Sequence, residues 1–168
     1  MMSRYTHCVN EILRLTNASV GVMLRAGNDE QLYWRVFMKT VPVVASIIYK
    51  DDCVLVAKRP KHKRHGGLWE FPGGKTLDGE SLLDAVSREL LEELGVATVS
   101  VGDVVFADQD GEFLIQFVET EIDGDPESIE HSEIRWVTPT ELKKLKLAPT
   151  DQKFVAAYFC DKTGTQKV

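Results

Sequence analysis

Three glutamates near the middle of the chain, Glu89, Glu92 and Glu93, are spaced so that one helix could hold them together. An α-helix turns by about 100° per residue, which places the three within an arc of roughly 100°. Glu89 and Glu93 stand four residues apart with like charge, and Arg88 is a basic partner at that spacing for Glu92 alone. Carboxylate oxygens suit magnesium and manganese. The cluster therefore predicts a divalent-metal site, with a solvated, salt-bridged face as the alternative.

A metal site of this kind would serve the hydrolysis of a polyphosphate. Divalent ions neutralise phosphate oxygens and lower the pKa of a bound water, and the rest of catalysis is positioning and electrostatics. The segment Pro72-Gly73-Gly74 comes before the glutamates, and its glycines would let the backbone approach a metal or a phosphate closely. Taken alone, that segment favours a simple turn.

The glutamates are predicted to lie on a helix from Glu80 to Leu94. Asp78 is placed to cap its start and Gly95 to end it. Four apolar side chains form its buried stripe: Leu83, Val86, Leu90 and Leu94. The glutamate arc borders that stripe, so it is expected to lie beside the core.

Strands and shorter helices are predicted around this helix from apolar runs and turn residues. The strands cover 20–24, 32–37, 41–49, 53–57, 68–71, 98–107, 113–121 and 133–137; helices cover 10–15 and 151–158, and another begins at Thr138-Pro139. Asp110-Gly111 predicts a tight hairpin between two of the strands. This order predicts an α/β (α+β) fold with a mixed sheet sandwiched between helices.

Length and composition bound the function. The 168 residues suit one domain at 41–160, with an N-terminal extension at 1–40 and a tail at 161–168. The net charge of −6 argues against polymeric nucleic acid, which attracts a strongly positive surface. Since no apolar stretch approaches the ~20 residues that span a bilayer, no membrane partner is expected.

The cysteines bear on the compartment. Cys8, Cys53 and Cys160 are odd in number, scattered and without metal-site spacing, so they are expected to be reduced thiols. With no signal-peptide pattern at the N-terminus, this predicts a cytoplasmic protein. Oligomeric state stays open, because residues 1–40 could cap the sheet, shield the site or form the contact of a homodimer.

The segment from Gly74 to Val96 follows the pattern G-x5-E-x7-R-E-U-x-E-E-x-G-U, where U is a bulky apolar residue, at every fixed position. It resembles the Nudix box. The preceding segment, from Leu68 to Lys75, is similar to that of the MutT-type nucleoside triphosphate pyrophosphohydrolases. The resemblance covers about 41–158. It implies a Nudix fold and magnesium-dependent hydrolysis of a nucleoside triphosphate to a monophosphate and pyrophosphate, with manganese as another cofactor and nucleotide-pool sanitation as the role.

The resemblance also implies roles for the residues of the metal site. Glu89, Glu92, Glu93 and the carbonyl of Gly73 would bind the metal. A further glutamate would come from a loop after the sheet; Glu130 matches best, with Glu127 and Glu133 as competitors. Glu80 and Arg88 would pair and brace the loop against the helix.

On the substrate side, Arg59 resembles the phosphate-contacting arginine of this branch, and Lys58 and Lys75 are weaker candidates. The basic run from Lys58 to His65 could steer a triphosphate or be a mobile, solvated loop. None of the four histidines has convincing spacing for a ligand.

The base pocket is expected between Phe71 and the loop 147–151. Asp151 stands there at a position where the branch carries Asn or Asp. An ionised carboxylate only accepts hydrogen bonds, which suits the amino group of cytosine; a protonated one could read an oxidised guanine. The other interpretation is that Asp151 caps the last helix.

Two other functions remain open. The substrate could be ADP-ribose or a dinucleoside polyphosphate, which the box does not distinguish from a triphosphate. A nucleotide-binding regulatory module without hydrolysis would be expected to lack box carboxylates, and this box is whole.

Overall fold

The computed structural model describes residues 40–159. The elements predicted before Thr40, the extension to which they belong, the tail and two cysteines, Cys8 and Cys160, lie outside the described residues. Cys53 is a free thiol and is partly buried.

Seven strands and three helices make up the described part of the chain. The strands are β1 (Val41–Ile47), β2 (Tyr49–Lys50), β3 (Cys53–Lys58), β4 (Trp69–Glu70), β5 (Ala97–Asp110), β6 (Phe113–Asp123) and β7 (Glu133–Val137). The helices are α1 (Leu82–Leu94), α2 (Pro139–Leu142) and α3 (Pro149–Tyr158). Among them, no helix is both long and apolar enough to cross a membrane.

The strands form two sheets. In the first, β6 lies between β1, which runs parallel to it, and β5, which runs antiparallel. In the second, β3 is central and all its pairings, with β2, β4 and β7, are antiparallel. Lys58 of β3 pairs with both Trp69 and Glu133, so β4 and β7 flank β3 on opposite edges.

Apolar clusters cover the strands on both sides. Phe117 of β6 stacks on Phe154 of α3, with ring centroids 4.3 Å apart, in one cluster. Its neighbour Val118 faces the other cluster together with Leu90 of α1. Burial on both faces explains why β1 and β3 are almost continuously apolar instead of alternating. The predicted fold, a mixed sheet arrangement between helices, is therefore confirmed.

The helix that carries the glutamates begins two residues later than predicted. Its N-cap is Ser81, whose hydroxyl accepts a hydrogen bond from the Asp84 N–H at 3.1 Å, so Asp78 as the cap is wrong. Glu80 is not helical; its side chain accepts from the Leu77 N–H at 2.8 Å and closes the preceding turn. Leu83 does not belong to the stripe, because it is 49% exposed.

The ends of the other elements agree with the prediction in one case and differ from it in the others. Gly95, with φ of 69°, ends α1 as predicted. The hairpin loop is Gly111-Glu112, since Asp110 still pairs with Phe113. Proline at the first helical position starts α3 at Pro149. Asp151 thus lies in the first turn and is not the N-cap, which is Ala148.

Candidate active site

A cleft of about 390 Å³ opens between four parts of the chain. They are the glycine loop (Pro72-Gly73-Gly74), α1, the basic loop (Lys58 to His65) and the start of α3. Eight of the predicted site residues line it: Arg59, Phe71, Gly73, Lys75, Glu89, Glu93, Glu130 and Asp151. Three others, Glu80, Arg88 and Glu92, do not line it. The cleft therefore brings residues predicted for metal, phosphate and base binding to one place.

The Pro72-Gly73-Gly74 segment lies directly on β1. The Val44 N–H donates to the Gly74 carbonyl at 2.8 Å, and the Ser46 N–H donates to the Pro72 carbonyl at 2.7 Å. Gly73 has φ of 140°, a conformation that side chains disfavour, and a Cβ there would come within 2.2 Å of the Val44 carbonyl oxygen. At Gly74 a Cβ would come within 2.3 Å of Glu89 Oε2. The glycines thus let the backbone approach the carboxylates, which an ordinary turn does not require.

The three glutamates of α1 have different surroundings. Glu93 is only 7% exposed, and its Oε2 accepts from the Gly73 N–H at 2.8 Å. Burial raises the pKa of Glu93 to about 7. Glu89 accepts from Arg88 Nη1 at 2.6 Å. The side chain of Glu92 is 53% exposed, lies 3.7 Å from the same Arg88 Nη1 and does not line the cleft.

The candidate ligands are chemically suited to a hard cation, although their oxygens do not surround a common point. Within residues 40–159, no three His, Cys, Asp or Glu side chains stand close enough to enclose an ion. Glu89 is held by Arg88, and Glu130 lies 3.1 Å from Lys63, so both would turn to reach a shared ion. A buried carboxylate such as Glu93 is costly unless a cation neutralises it. Carboxylate and backbone oxygens are the chemistry that such a cation needs.

Arg88 ties the loop before α1 to the helix. Its Nε donates to Glu80 Oε1 and its Nη2 to Glu80 Oε2, both at 2.9 Å, and Nη2 also donates to the Lys75 carbonyl at 2.9 Å. The hydrogen bonds from Arg88 hold the pKa of Glu80 below its usual range. A bidentate ion pair between Arg88 and Glu80 therefore joins the loop to the helix.

The basic loop is tied to both walls of the cleft. Arg59 forms an ion pair with Glu70, and its Nε donates to the Arg64 carbonyl at 2.6 Å. Arg64 lies 2.9 Å from Asp110 in the β5–β6 hairpin. Lys63 pairs with Glu130, so three basic side chains of the loop have ion-pair partners, while residues 61–64 stay exposed to solvent.

The competing loop glutamates lie in different places. Glu130 lines the cleft. Glu133 is in β7 and pairs with Arg135 and, at 3.5 Å, with Lys58. Glu127 does not line the cleft, and its N–H donates to the Leu94 carbonyl at 2.9 Å. The geometry favours Glu130 as the carboxylate that could join Glu89 and Glu93.

Residues 39–158 match the NUDIX domain family. The chain belongs to this family. Among similar proteins, the CTP pyrophosphohydrolase of Escherichia coli strain K12 is 37% identical over 126 residues, which cover 72% of this chain and 93% of that protein. A putative 8-oxo-dGTP diphosphatase 2 of Mycobacterium tuberculosis is 38% identical over 119 residues, covering 68% and 84%.

Solved structures show the same relationship. The solution structure of the E. coli ORF135 protein superposes with a TM-score of 0.61 at 36% identity, covering 72% of this chain and 89% of that one. A MutT structure from a study of Aliivibrio salmonicida and Vibrio cholerae gives 0.62 at 33% identity, covering 71% and 98%. The chain is a Nudix hydrolase, an enzyme of the class that acts on acid anhydrides. Hydrolases of this family generally use divalent metals.

Glu70 and His131 also line the Nudix cleft, although no spacing in the sequence singles out either residue. His131 Nε2 lies 3.2 Å from Glu70 Oε1 and 3.7 Å from Glu93 Oε1. Neither residue has ligand spacing to any other, because strand pairing and a loop bring them together. The position of His131 next to Glu130 was the one available hint. The apolar wall was missed for the same reason; it contains Val43, Phe113 and Ile115.

Asp151 is buried in the lining of this Nudix cleft. Its Oδ1 accepts a hydrogen bond from the Phe71 N–H at 2.8 Å. Burial raises the pKa of Asp151 to about 7. Both protonation states, and hence both hydrogen-bonding patterns predicted for it, are accessible near neutral pH. The ring of Phe71 is itself 5.2 Å from that of Phe154 and belongs to the core.

Proposed function

We propose that this Nudix hydrolase cleaves a nucleoside triphosphate to a monophosphate and pyrophosphate, with Mg²⁺ as its cofactor, and removes unwanted nucleotides from the pool. The observation that carries the proposal is the single cleft. Glu89, Glu93 and Gly73 line it together with Asp151 and Arg59. A nucleotide could therefore place its phosphates at the glutamates and its base at Asp151.

The glutamates and a backbone oxygen would hold the cation. The proposed ligands are Glu89, Glu92, Glu93, Glu130 and the carbonyl of Gly73. A bound divalent ion neutralises phosphate charge and lowers the pKa of a water, so that hydroxide is available near neutral pH. Arg59 and Lys75 would contact the phosphates, and the bidentate pair of Arg88 with Glu80 keeps the glycine loop in register with α1.

Cytidine and oxidised guanine nucleotides are the proposed substrates. Similarity to a CTP pyrophosphohydrolase and to a putative 8-oxo-dGTP diphosphatase supports this pair. Asp151 supports it independently. Ionised, it accepts from the amino group of cytosine; protonated, it both donates and accepts, as an oxidised guanine edge requires.

A nucleotide panel with Mg²⁺ tests the proposal. The panel holds CTP, dCTP, 8-oxo-dGTP, the four common deoxynucleotides, ADP-ribose and a dinucleoside tetraphosphate. Products are separated by chromatography, and we expect pyrophosphate and a monophosphate from a cytidine or oxidised guanine nucleotide. Release of orthophosphate would refute the assigned cleavage point, and a higher kcat/KM for ADP-ribose would replace the substrate class.

Glu93→Gln is the matched variant for the chemistry. It keeps the shape of the side chain and an oxygen for the Gly73 N–H, but removes the charge that a cation needs. We expect kcat to fall by a factor of roughly 100 or more, because metal-site carboxylates act in the reaction itself. Unchanged turnover of the best substrate would show that the metal site is assigned wrongly.

We also propose a compartment and domain limits for the protein. A cytoplasmic location rests on the scattered cysteines. We propose 41–160 as the catalytic domain and leave 1–40 as an extension whose role a truncation beginning at Lys39 would test. The formation of a homodimer is open to measurement by light scattering of the full chain.

A further inference from the structure

A chain of polar contacts joins Arg59 to Glu93 in the lining of the cleft. Arg59 pairs with one oxygen of Glu70, and His131 Nε2 lies 3.2 Å from the other. The same Nε2 is 3.7 Å from Glu93 Oε1. One imidazole nitrogen thus links the residue proposed for phosphate to a carboxylate proposed for the cation.

The His131 ring is held from one side only. Its side chain is 4% exposed. Within the part of the chain that the structure describes, its other nitrogen, Nδ1, is buried and has no hydrogen-bond partner. An ionised carboxylate only accepts hydrogen bonds, so the contact of Nε2 with Glu70 Oε1 at 3.2 Å requires a proton on that nitrogen. The packing therefore selects the Nε2–H form of the ring.

Glu93 is oriented from two directions. Its Oε2 accepts from the Gly73 N–H at 2.8 Å, while its Oε1 faces His131. The 3.7 Å contact is too long for a hydrogen bond, so His131 acts electrostatically on a carboxylate that the Gly73 N–H already fixes through Oε2. Side chains that orient metal ligands from outside typically change metal affinity by about 10- to 100-fold when they are replaced.

We propose that His131 is a positioning residue, whose Nε2 holds Glu93 towards the cation and Glu70 towards Arg59. Cation binding and phosphate binding then depend on the same ring. The inference rests on the cation site of the proposed function, but not on the identity of the nucleotide.

Two substitutions distinguish the role of Nε2 from that of Nδ1. In His131→Gln the side-chain amide nitrogen can occupy the place of Nε2, whereas in His131→Asn it reaches only the place of Nδ1. Both residues are polar and uncharged, so loss of ring packing affects both. Mn²⁺ affinity of the full chain without nucleotide, measured by calorimetry, is the first readout. We expect His131→Asn to weaken it by about 10- to 100-fold and His131→Gln to restore it to within about threefold of the original chain.

Steady-state kinetics with the best nucleotide give the second readout. His131→Asn should raise KM, because Arg59 loses the support of a fixed Glu70, and should lower kcat through Glu93. His131→Gln should reverse both changes. Equal Mn²⁺ affinity in the Asn variant and the original chain would overturn the proposal, and so would an equal loss in both variants.

Nuclear magnetic resonance of the unsubstituted protein keeps the test independent of variant folding. The ¹⁵N resonances of His131 should report a proton on Nε2 and none on Nδ1, and added Mg²⁺ should shift the Nε2 signal. A proton on Nδ1, or no response to Mg²⁺, would overturn the role. Failure of the nucleotide panel leaves these cation measurements standing. Conversely, normal turnover by a His131→Asn variant with unchanged Mn²⁺ affinity would sink this inference alone.

Discussion

Asp151 is a carboxyl group whose useful chemistry depends on its burial. Above a pKa of about 7 it is ionised and only accepts, while below that pH it also donates. We therefore expect the ratio of kcat/KM for CTP to that for 8-oxo-dGTP to rise by about tenfold between about pH 6 and about pH 8, as expected for one charge-assisted hydrogen bond.

Asp151→Asn is the control for this dependence on pH. An amide does not titrate, so the substrate ratio should become flat with pH and shift towards the oxidised guanine. Kinetics of both substrates across the pH series measure it. If the variant and the original chain show the same slope, Asp151 does not read the base.

The same residue should make stability depend on pH. Its pKa is raised from 3.8 to about 7 in the folded state, so the folded form binds the proton more tightly than the unfolded chain. Its contribution is present below about pH 4 and is lost as the pH rises to about 7. The melting temperature of Asp151→Asn relative to the original chain should rise across that window and then level off. A constant difference in melting temperature would contradict the raised pKa.

Glu130 and Glu127 test which loop carboxylate serves the cation. Glu130→Gln should lower kcat by about tenfold or more, because a ligand charge beside the phosphates is lost. Glu127→Gln, in the same loop but outside the cleft, is the matched control and should act like the original chain. The reverse order of effects would transfer the role to Glu127.

At the scale of elements, the glycine loop and α1 act as one unit. A methyl group on Gly74 would meet Glu89 Oε2, the end of a flexible side chain, and not a fixed backbone atom. Gly74→Ala should therefore displace Glu89 and reduce kcat by at least about tenfold with a small change in melting temperature. Gly102→Ala, whose Cβ would have its nearest neighbour at 3.5 Å, is the control. Loss of folding in the Gly74 variant alone would show a structural role instead.

Arg88 joins the two parts of that unit. Lysine keeps the charge, but its single ammonium nitrogen cannot reproduce the planar fork that reaches both oxygens of Glu80 and also the Lys75 carbonyl. We expect Arg88→Lys to lower both kcat and Mn²⁺ affinity. Arg135→Lys, which replaces an exposed ion-paired arginine outside the cleft, should leave both unchanged. Equal effects of the two substitutions would show that Arg88 has no specific role in bracing the site.

For the whole molecule, local patterns predicted the part of the site that lies on one segment. The spacing of the box placed Glu89 and Glu93 correctly, since 3.6-residue periodicity is a local property. The sequence does not distinguish Asp78 from Ser81 as the N-cap, because both precede the helix and both have a side-chain oxygen that can accept from a backbone N–H. Only the turn closed by the Glu80 side chain decides for Ser81.

Residues that meet through strand pairing were not predictable in this way. Phe113 joins the cleft because β6 pairs with β1, and Glu70 meets His131 because β4 and β7 both flank β3. These contacts join positions far apart in the sequence, whereas periodicity concerns neighbours. Asp151 shows the intermediate case. Its type suggests base reading or capping, and the start of α3 at Pro149, with Ala148 as its N-cap, excludes capping.

The parallel pairing of β1 with β6 has a consequence for the order of assembly. Val41 pairs with Phe113, and the glycine loop is held by hydrogen bonds to β1. A ribosome must therefore synthesise β6 before β1 can pair with it, and a shorter nascent chain has no finished cleft. Long-range pairing of this kind slows folding. On refolding from denaturant, nucleotide hydrolysis should return with the slowest sheet-forming phase and not with the earlier helical signal, as stopped-flow circular dichroism and timed activity assays can establish.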